Sequence, residues 1–298
     1  MCLKHEKRPA PTDDAVPVSG SALAFSDCHP HLVAVVCGFA KDTDLYPNYI
    51  QGKFGEDAWF KTSTASADVL GVADGVGGWR AHGIDPGQFS SYLMHSCERL
   101  VHGQSFDPSK PAELLASSFC DLMEQKQPIL GSSTACVVTF ERLRSTLHAA
   151  NIGDSGFLVL RNGAIVCRSR EQQHFFNTPY QLSMPPPGHN LQVLSDGPEC
   201  AEILCLAVKP GDVILLATDG IFDNVSDDLL LQVVSELEGV NDPVQLQMAA
   251  NCLALMARML SFNSDYISPF TLNARRNNIE AIGGKPDDIT VILATVVE

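Results

Sequence analysis

Short apolar runs rich in Val, Ile and Leu recur along this chain, joined by connections too brief for crossover helices. That combination limits the fold more than any other feature. The runs lie at residues 32–39, 55–60, 68–74, 133–140, 146–151, 157–161, 164–168, 202–208, 213–218 and 289–297. Asn162-Gly163 between two of them is a strong signal for a tight antiparallel hairpin. Helical periodicity appears in pairs between the runs. Residues 88–102 put Phe89, Leu93, Cys97, Leu100 and Val101 on one face, and 112–125 do the same with Leu115, Phe119, Leu122 and Met123. A second pair is expected at 227–238 and 243–261. Met248, Met256 and Met259 are expected in the core of the latter helix. The order strands, helix pair, strands, helix pair, strand predicts an α+β layered sandwich, with helices covering antiparallel sheets.

Composition narrows the function classes. Lys plus Arg is 20 against 35 for Asp plus Glu, a formal charge of −15, so the chain has no basic surplus for nucleic-acid phosphates. No apolar run is long enough to span a bilayer, and no transmembrane segment is expected. The ten cysteines contain no C-x-x-C pair. Cys37, Cys136 and Cys205 stand inside apolar runs, which predicts reduced core thiols and an intracellular setting. Residues 1–28 read as a disordered tail ahead of a domain at 29–298. The tail has no secretory h-region and no clear transit-peptide composition. Five prolines between 170 and 200 predict an ordered loop without a long element.

The ends of the apolar runs carry the chemistry. Acids stand at five of them: Glu56-Asp57, Asp74, Asp154, Asp219 and Asp287-Asp288. Glycines follow Asp74 and Asp219, and Gly75, Gly77 and Gly78 let the backbone come close to a ligand. Carboxylates gathered at one cleft repel one another unless a cation neutralises them. An all-oxygen set suits Mg²⁺ or Mn²⁺, and two ions sharing a carboxylate suit hydrolysis of a phosphoester by a shared water.

The ordered segments Gly55-Glu56-Asp57, Val72-Ala73-Asp74-Gly75-Val76-Gly77-Gly78, Gly131-Ser132-Ser133-Thr134-Ala135, Asn151-Ile152-Gly153-Asp154-Ser155, Ala217-Thr218-Asp219-Gly220-Ile221-Phe222-Asp223 and Asp287-Asp288-Ile289-Thr290-Val291 resemble the metal-dependent type-2C serine/threonine protein phosphatases. Trp79-Arg80, the segment from Glu171 to Pro179, and Gly283-Gly284-Lys285-Pro286 are most similar to the branch named for yeast PTC seven, whose members are largely mitochondrial. The resemblance implies a four-layer α-β-β-α sandwich and hydrolysis of phosphoserine and phosphothreonine on protein substrates, without a covalent intermediate. It implies two Mg²⁺ or Mn²⁺ ions, with Asp74 bridging them. Glu56 and the Gly75 carbonyl would complete one site, and Asp219 and Asp287 the other. Asp154 resembles the ligand of a weaker third ion, and Asp57 and Asp288 resemble groups that orient metal waters.

Two positions depart from the family pattern. Val76 stands where many members place a proton-donating His, which leaves a metal-bound water or a different side chain, His82 or His174, to protonate the leaving group, or a slower step. Gly52 stands where an Arg grips substrate phosphate, leaving Lys53 and Arg80. These gaps favour the alternative of a catalytically weak binding module, whereas retention of every implied metal ligand favours the enzyme. Other readings fit less well. The D-x-D-G signature of haloacid-dehalogenase phosphatases needs an Asp where Ala217 stands. The protease-like Gly153-Asp154-Ser155-Gly156 has no placed catalytic His.

Overall fold

The computed structural model describes residues 29–41, 50–187 and 193–298. The expected tail at 1–28 and the loop around Pro47 lie outside the described residues. The strands are β1 (His31–Phe39), β2 (Asp57–Ser63), β3 (Ala67–Asp74), β4 (Gly131–Ser133), β5 (Ala135–Glu141), β6 (Thr146–Ile152), β7 (Gly156–Arg161), β8 (Ala164–Arg168), β9 (Gln173–Phe175), β10 (Thr178–Pro179), β11 (Leu182–Met184), β12 (Glu202–Ala207), β13 (Val213–Ala217) and β14 (Ile289–Val297). The helices are α1 (Pro86–Val101), α2 (Pro111–Met123), α3 (Asp219–Phe222), α4 (Asp227–Val234), α5 (Pro243–Ser261) and α6 (Pro269–Arg276).

Two five-stranded sheets have the orders β1-β14-β13-β7-β8 and β12-β6-β5-β3-β2, and every pairing within them is antiparallel. Alternation along the strands assigns each face a partner. Val213, Leu215 and Ala217 pack toward α4 and α5, whereas Ile214 and Leu216 join Val72, Val138, Phe140 and Phe157 between the sheets. Ala58, Val69, Ala73 and Val137 face α1 and α2, against Phe89, Leu93, Leu115 and Leu122. Three apolar layers separate four structural ones, giving the expected α-β-β-α sandwich. Burial on both faces explains why β13 and β14 read as continuous apolar runs.

Caps fix the helix starts. Asp85, Ser226, Asp242 and Ser268 each accept a backbone N–H of the first turn, at Gly87, Leu229, Val244 and Thr271. Asn162 and Gly163 both take positive φ, 53° and 69°, as a two-residue hairpin with the right-handed twist requires.

The structure corrects several details. The helix expected at 227–238 ends at Val234 and tightens into a 3-10 turn over Ser235–Leu237. Helix α6 was not anticipated. Met248 is 67% exposed and Met259 66%, on the outer face of α5, and only Met256 packs on the core. Cys37 and Cys136 are buried thiols, but Cys205 lies exposed on β12, an edge strand. Among the described residues the 170–200 region holds the short pieces β9, β10, β11 and a 3-10 turn at Pro198–Cys200 and no long element, in line with its prolines.

Candidate active site

The acids meet because β2 and β3 are neighbours whose register sets Asp57 opposite Asp74. The ends of β13 and β14, from the other sheet, bring Asp219 and the Asp287-Asp288 pair to the same rim. Asp74 is held through its backbone: its N–H donates to Thr134 Oγ1 (3.1 Å), and its carbonyl accepts from Thr134 N–H (2.9 Å) and the Ser133 hydroxyl (2.8 Å). Gly75 continues this with its N–H on the Glu56 carbonyl (3.1 Å). A Cβ there would lie 2.7 Å from the Pro86 carbonyl oxygen and 2.9 Å from that of Glu56, so only glycine fits.

Asp57 is clamped by two hydroxyls. Thr218 and Thr290 donate to its Oδ2 at 2.8 and 2.7 Å, while its buried Oδ1 has no hydrogen-bond partner. Asp288 ties the loop before β2 to the start of β14, accepting the Lys41 N–H at Oδ1 (2.6 Å) and the Glu56 N–H at Oδ2 (2.9 Å). Gly55 makes room for it at φ 64°. A methyl on Gly55 would overlap Asp288 Oδ1 and Cγ, and would stand 2.6 Å from Oδ2. Gly220 packs equally closely on the Asp288 carbonyl.

Three cations line the acids. Lys41 Nζ lies 2.7 Å from Glu56 Oε2 and 3.1 Å from Asp287 Oδ1, and Arg80 Nε pairs with Glu56 Oε1. Lys285 Nζ lies 2.5 Å from Asp219 Oδ2, 2.7 Å from Asp223 Oδ2 and 3.2 Å from Asp287 Oδ2. Asp219 Oδ1 and Asp154 Oδ1 are buried and have no hydrogen-bond partner. A cleft of about 440 Å³ opens beside them, with Glu171, Arg168 and Arg276 on its walls.

Charge shapes this site. Burial, then Asp219 and Asp57, push the Asp74 carboxyl well above the ordinary carboxylate range. Burial and Asp288 do the same to Asp57, and burial and Asp219 to Asp154. Asp287 moves the other way: burial opposes its ionisation, but Lys285 and Lys41 outweigh it and hold the carboxyl low. Burial disfavours both lysine ammoniums too, yet the surrounding acids raise both.

A cation fits here on the chemistry of the donors. The Asp74 carboxylate has no hydrogen bond or ion pair from the described residues, and Asp57 and Asp219 each keep one unpartnered buried oxygen. As they stand, no three or more His, Cys, Asp or Glu side chains among the described residues are drawn together tightly enough to grip an ion. Lysine contacts space them apart. An ion at Glu56 would take an oxygen now held by Lys41 or Arg80, whose side chains are 31% and 48% exposed.

The structure thus brings Glu56, Asp57, Asp74, Gly75, Asp154, Asp219, Asp287 and Asp288 to one rim, with Arg80 on Glu56. Lys53 lies exposed on the turn ahead of β2, bridged through its backbone to Phe39. The two histidines are engaged elsewhere. His174 pairs with Asp196 at 2.9 Å and stacks on Tyr180, and His82 packs edge-on against Trp79. Sequence reasoning missed Lys41, Lys285 and Asp223. Asp223 follows Asp219 by one helical turn, a spacing that could have found it. Lys41 carries no local signal.

The SpoIIE family model, described as Stage II sporulation protein E, matches residues 67–297. A protein phosphatase PTC7 homolog from Homo sapiens is 50% identical over 267 residues, covering 90% of this chain and 88% of the relative. A protein phosphatase PTC7 homolog fig from Drosophila ananassae is 50% identical over 269 residues, covering 90% and 81%. The X-ray structure of the photosystem II phosphatase PBCP superposes with a TM-score of 0.74 at 28% identity, over 89% of this chain and 98% of that one. The catalytic domain of the serine threonine protein phosphatase PstP, in complex with two manganese ions, shares the fold at a TM-score of 0.55 and 16% identity, over 90% and 100%.

Proposed function

This chain belongs to the SpoIIE-like type-2C family and is a protein serine/threonine phosphatase, and on that premise we propose how its acidic rim works. Glu56, Asp74, the Gly75 carbonyl, Asp219 and Asp287 would hold two Mg²⁺ or Mn²⁺ ions, Asp74 serving both. When bound, such ions would make a water more acidic and offset the charge of the phosphoryl oxygens, which suits direct attack of water on phosphorus with release of the serine or threonine oxygen and no covalent enzyme intermediate. The observation that supports this reading is Asp74, opposite Asp57 across two strands, whose carboxylate is pushed up by burial and by Asp219, Asp57, Asp287 and Asp154 and has no hydrogen-bond or ion-pair partner among the described residues.

The protein's own groups do the positioning. Asp57, fixed by Thr218 and Thr290, keeps one oxygen aimed into the site to orient water. Asp288 holds the Glu56 backbone in place. Arg80, at the cleft rim, receives the substrate phosphate, for which a guanidinium offers a fork of donors that a lysine lacks. Val76 has no proton to give and His174 is committed to Asp196, so the leaving alkoxide of serine or threonine takes its proton from solvent. The substrate is a phosphoprotein.

Phosphate release from a phosphoserine peptide, followed with Mn²⁺ and with chelator, tests the reading. Wild type turns over only with Mn²⁺, and Asp74→Asn loses at least about a thousandfold in kcat/KM, the size of a lost electrostatic group at a transition state. Equal turnover by Asp74→Asn, or turnover undiminished in chelator, would refute it.

A further inference from the structure

The Lys285 contacts are incompatible with a third ion at Asp154. An ammonium has three donors and no more. Those of Lys285 reach Asp219 Oδ2 and Asp223 Oδ2 as hydrogen bonds, and the ammonium stands 3.2 Å from Asp287 Oδ2 as an ion pair. A Mg²⁺ or Mn²⁺ ion between Asp154, Asp219 and Asp223 would need oxygens at about 2.0–2.2 Å, and the ammonium already holds Asp219 Oδ2 and Asp223 Oδ2. Two cations of total charge three cannot share that space.

The lysine is built in, not a surface side chain that has fallen inward. Lys285 is 17% exposed. Its N–H donates to Asn224 Oδ1 at 2.8 Å, and its carbonyl accepts from Asn224 Nδ2 at 2.9 Å, so one fully buried side chain clamps the backbone on both sides. The Asn224 amide also donates to the Gly220 carbonyl (3.0 Å), coupling the lysine to the turn that carries Asp219. The ammonium stands 5.4 Å from the centre of the Phe270 ring, whose own backbone N–H donates to the Asp223 carbonyl at 3.0 Å. Asp219 is divided between two duties: Oδ2 faces Lys285, while buried Oδ1 is left for an ion shared with Asp74.

We infer that the Lys285 ammonium is a tethered cation filling the place between Asp154, Asp219 and Asp223 that a third divalent ion would take, so this phosphatase works with two ions. The inference rests on the two-ion reading above. A tethered charge differs from a bound ion in consequence: it is present at any metal concentration and cannot be removed by chelator. Asp154 then serves as counter-charge to Lys285, not as a metal ligand.

The test is a count of Mn²⁺ per chain by equilibrium dialysis at saturating metal, with anomalous difference maps of soaked crystals. Wild type binds two ions, both beside Asp74. Lys285→Ser binds three, the new one between Asp154 and Asp223, and adding Asp223→Asn returns the count to two. A third peak beside Asp154 in wild type overturns the inference, as does Lys285→Ser remaining at two. If that variant does not fold, the wild-type maps decide: two peaks with Lys285 still on Asp223 support the inference. Wild type with no ion at Asp74 would overturn the two-ion reading itself and this inference with it.

Discussion

Two glycines three residues apart offer a controlled perturbation of the site. Gly52 and Gly55 both have left-handed backbones, at φ 85° and 64°, but their surroundings differ. A Cβ on Gly52 meets nothing within 4 Å, whereas one on Gly55 overlaps the Asp288 carboxylate. Gly52→Ala therefore carries only the left-handed strain, about 1–2 kcal/mol. Gly55→Ala carries the same strain and must also displace Asp288. That short side chain is anchored by the Lys41 and Glu56 N–H groups at 2.6 and 2.9 Å. Losing one such charge-assisted bond adds about 1.5–3 kcal/mol, for a total of about 3–5 kcal/mol. At about 2–3 °C per kcal/mol for a domain of this size, metal-free Gly52→Ala melts about 2–6 °C below wild type, and Gly55→Ala about 6–15 °C below. Activity separates them more sharply. Gly52→Ala keeps Mn²⁺-dependent turnover within about twofold, and Gly55→Ala loses more than about tenfold because Glu56 moves with the loop. The assays are thermal melts in chelator and peptide dephosphorylation in saturating Mn²⁺. Equal melting temperatures, or wild-type turnover by Gly55→Ala, would refute the idea that Asp288 anchors this loop.

Other outcomes follow from the same contacts. Asn224→Ala removes three hydrogen bonds around Lys285 and leaves buried backbone groups unpaired, which lowers stability by about 3 kcal/mol and shows as a fall of about 6–9 °C in the melt. In chelator, carboxyls raised in the folded state bind protons that the unfolded chain has released, so stability rises as pH falls toward their unfolded value. Burial of Asp223, against the pull of Lys285, leaves its carboxyl at about 7, and Asp57 and Asp74 shift in the same direction. The metal-free melting temperature is therefore higher at pH 6.5 than at pH 8. Saturating Mn²⁺ reverses the order, and a metal-free optimum at pH 8 would contradict the assignment. Arg80→Ala raises KM for a phosphopeptide about tenfold with kcat within about twofold, the split expected when a charge-assisted contact with bound phosphate is lost. An unchanged KM would remove Arg80 from substrate binding.

The layered fold was legible because its signals are local. Runs apolar on both faces become strands buried between two layers, and brief connections such as Asn162-Gly163 dictate antiparallel neighbours. Helix α6 was hidden because it is only eight residues long and half of them are polar, so it shows little apolar periodicity; Ser268-Pro269, a cap followed by proline, marks its start. Periodicity showed that α5 has apolar stripes without saying which one faces the sheet, hence the misplacement of Met248 and Met259. At the site, the acids announced themselves as a recurrence at strand ends. The lysines that separate them did not, since Lys285 meets Asp219 only when β13 pairs with β14, and Lys41 meets Asp287 only when β1 and β14 pair.

That pairing sets a timetable for the nascent chain. The sheet carrying Asp57 and Asp74 has all its strands once β12 has emerged, but β1 waits for β14, its only neighbour in the sheet. At ribosomal rates of about 5–20 residues per second, roughly ninety more residues take some 5–20 s. For most of that interval the growing polypeptide presents Glu56, Asp57, Asp74, Asp154 and Asp219 without Lys285 or Asp287. Half a chelating site thus exists before the rest has been made, and the residue that balances it belongs to a segment translated later.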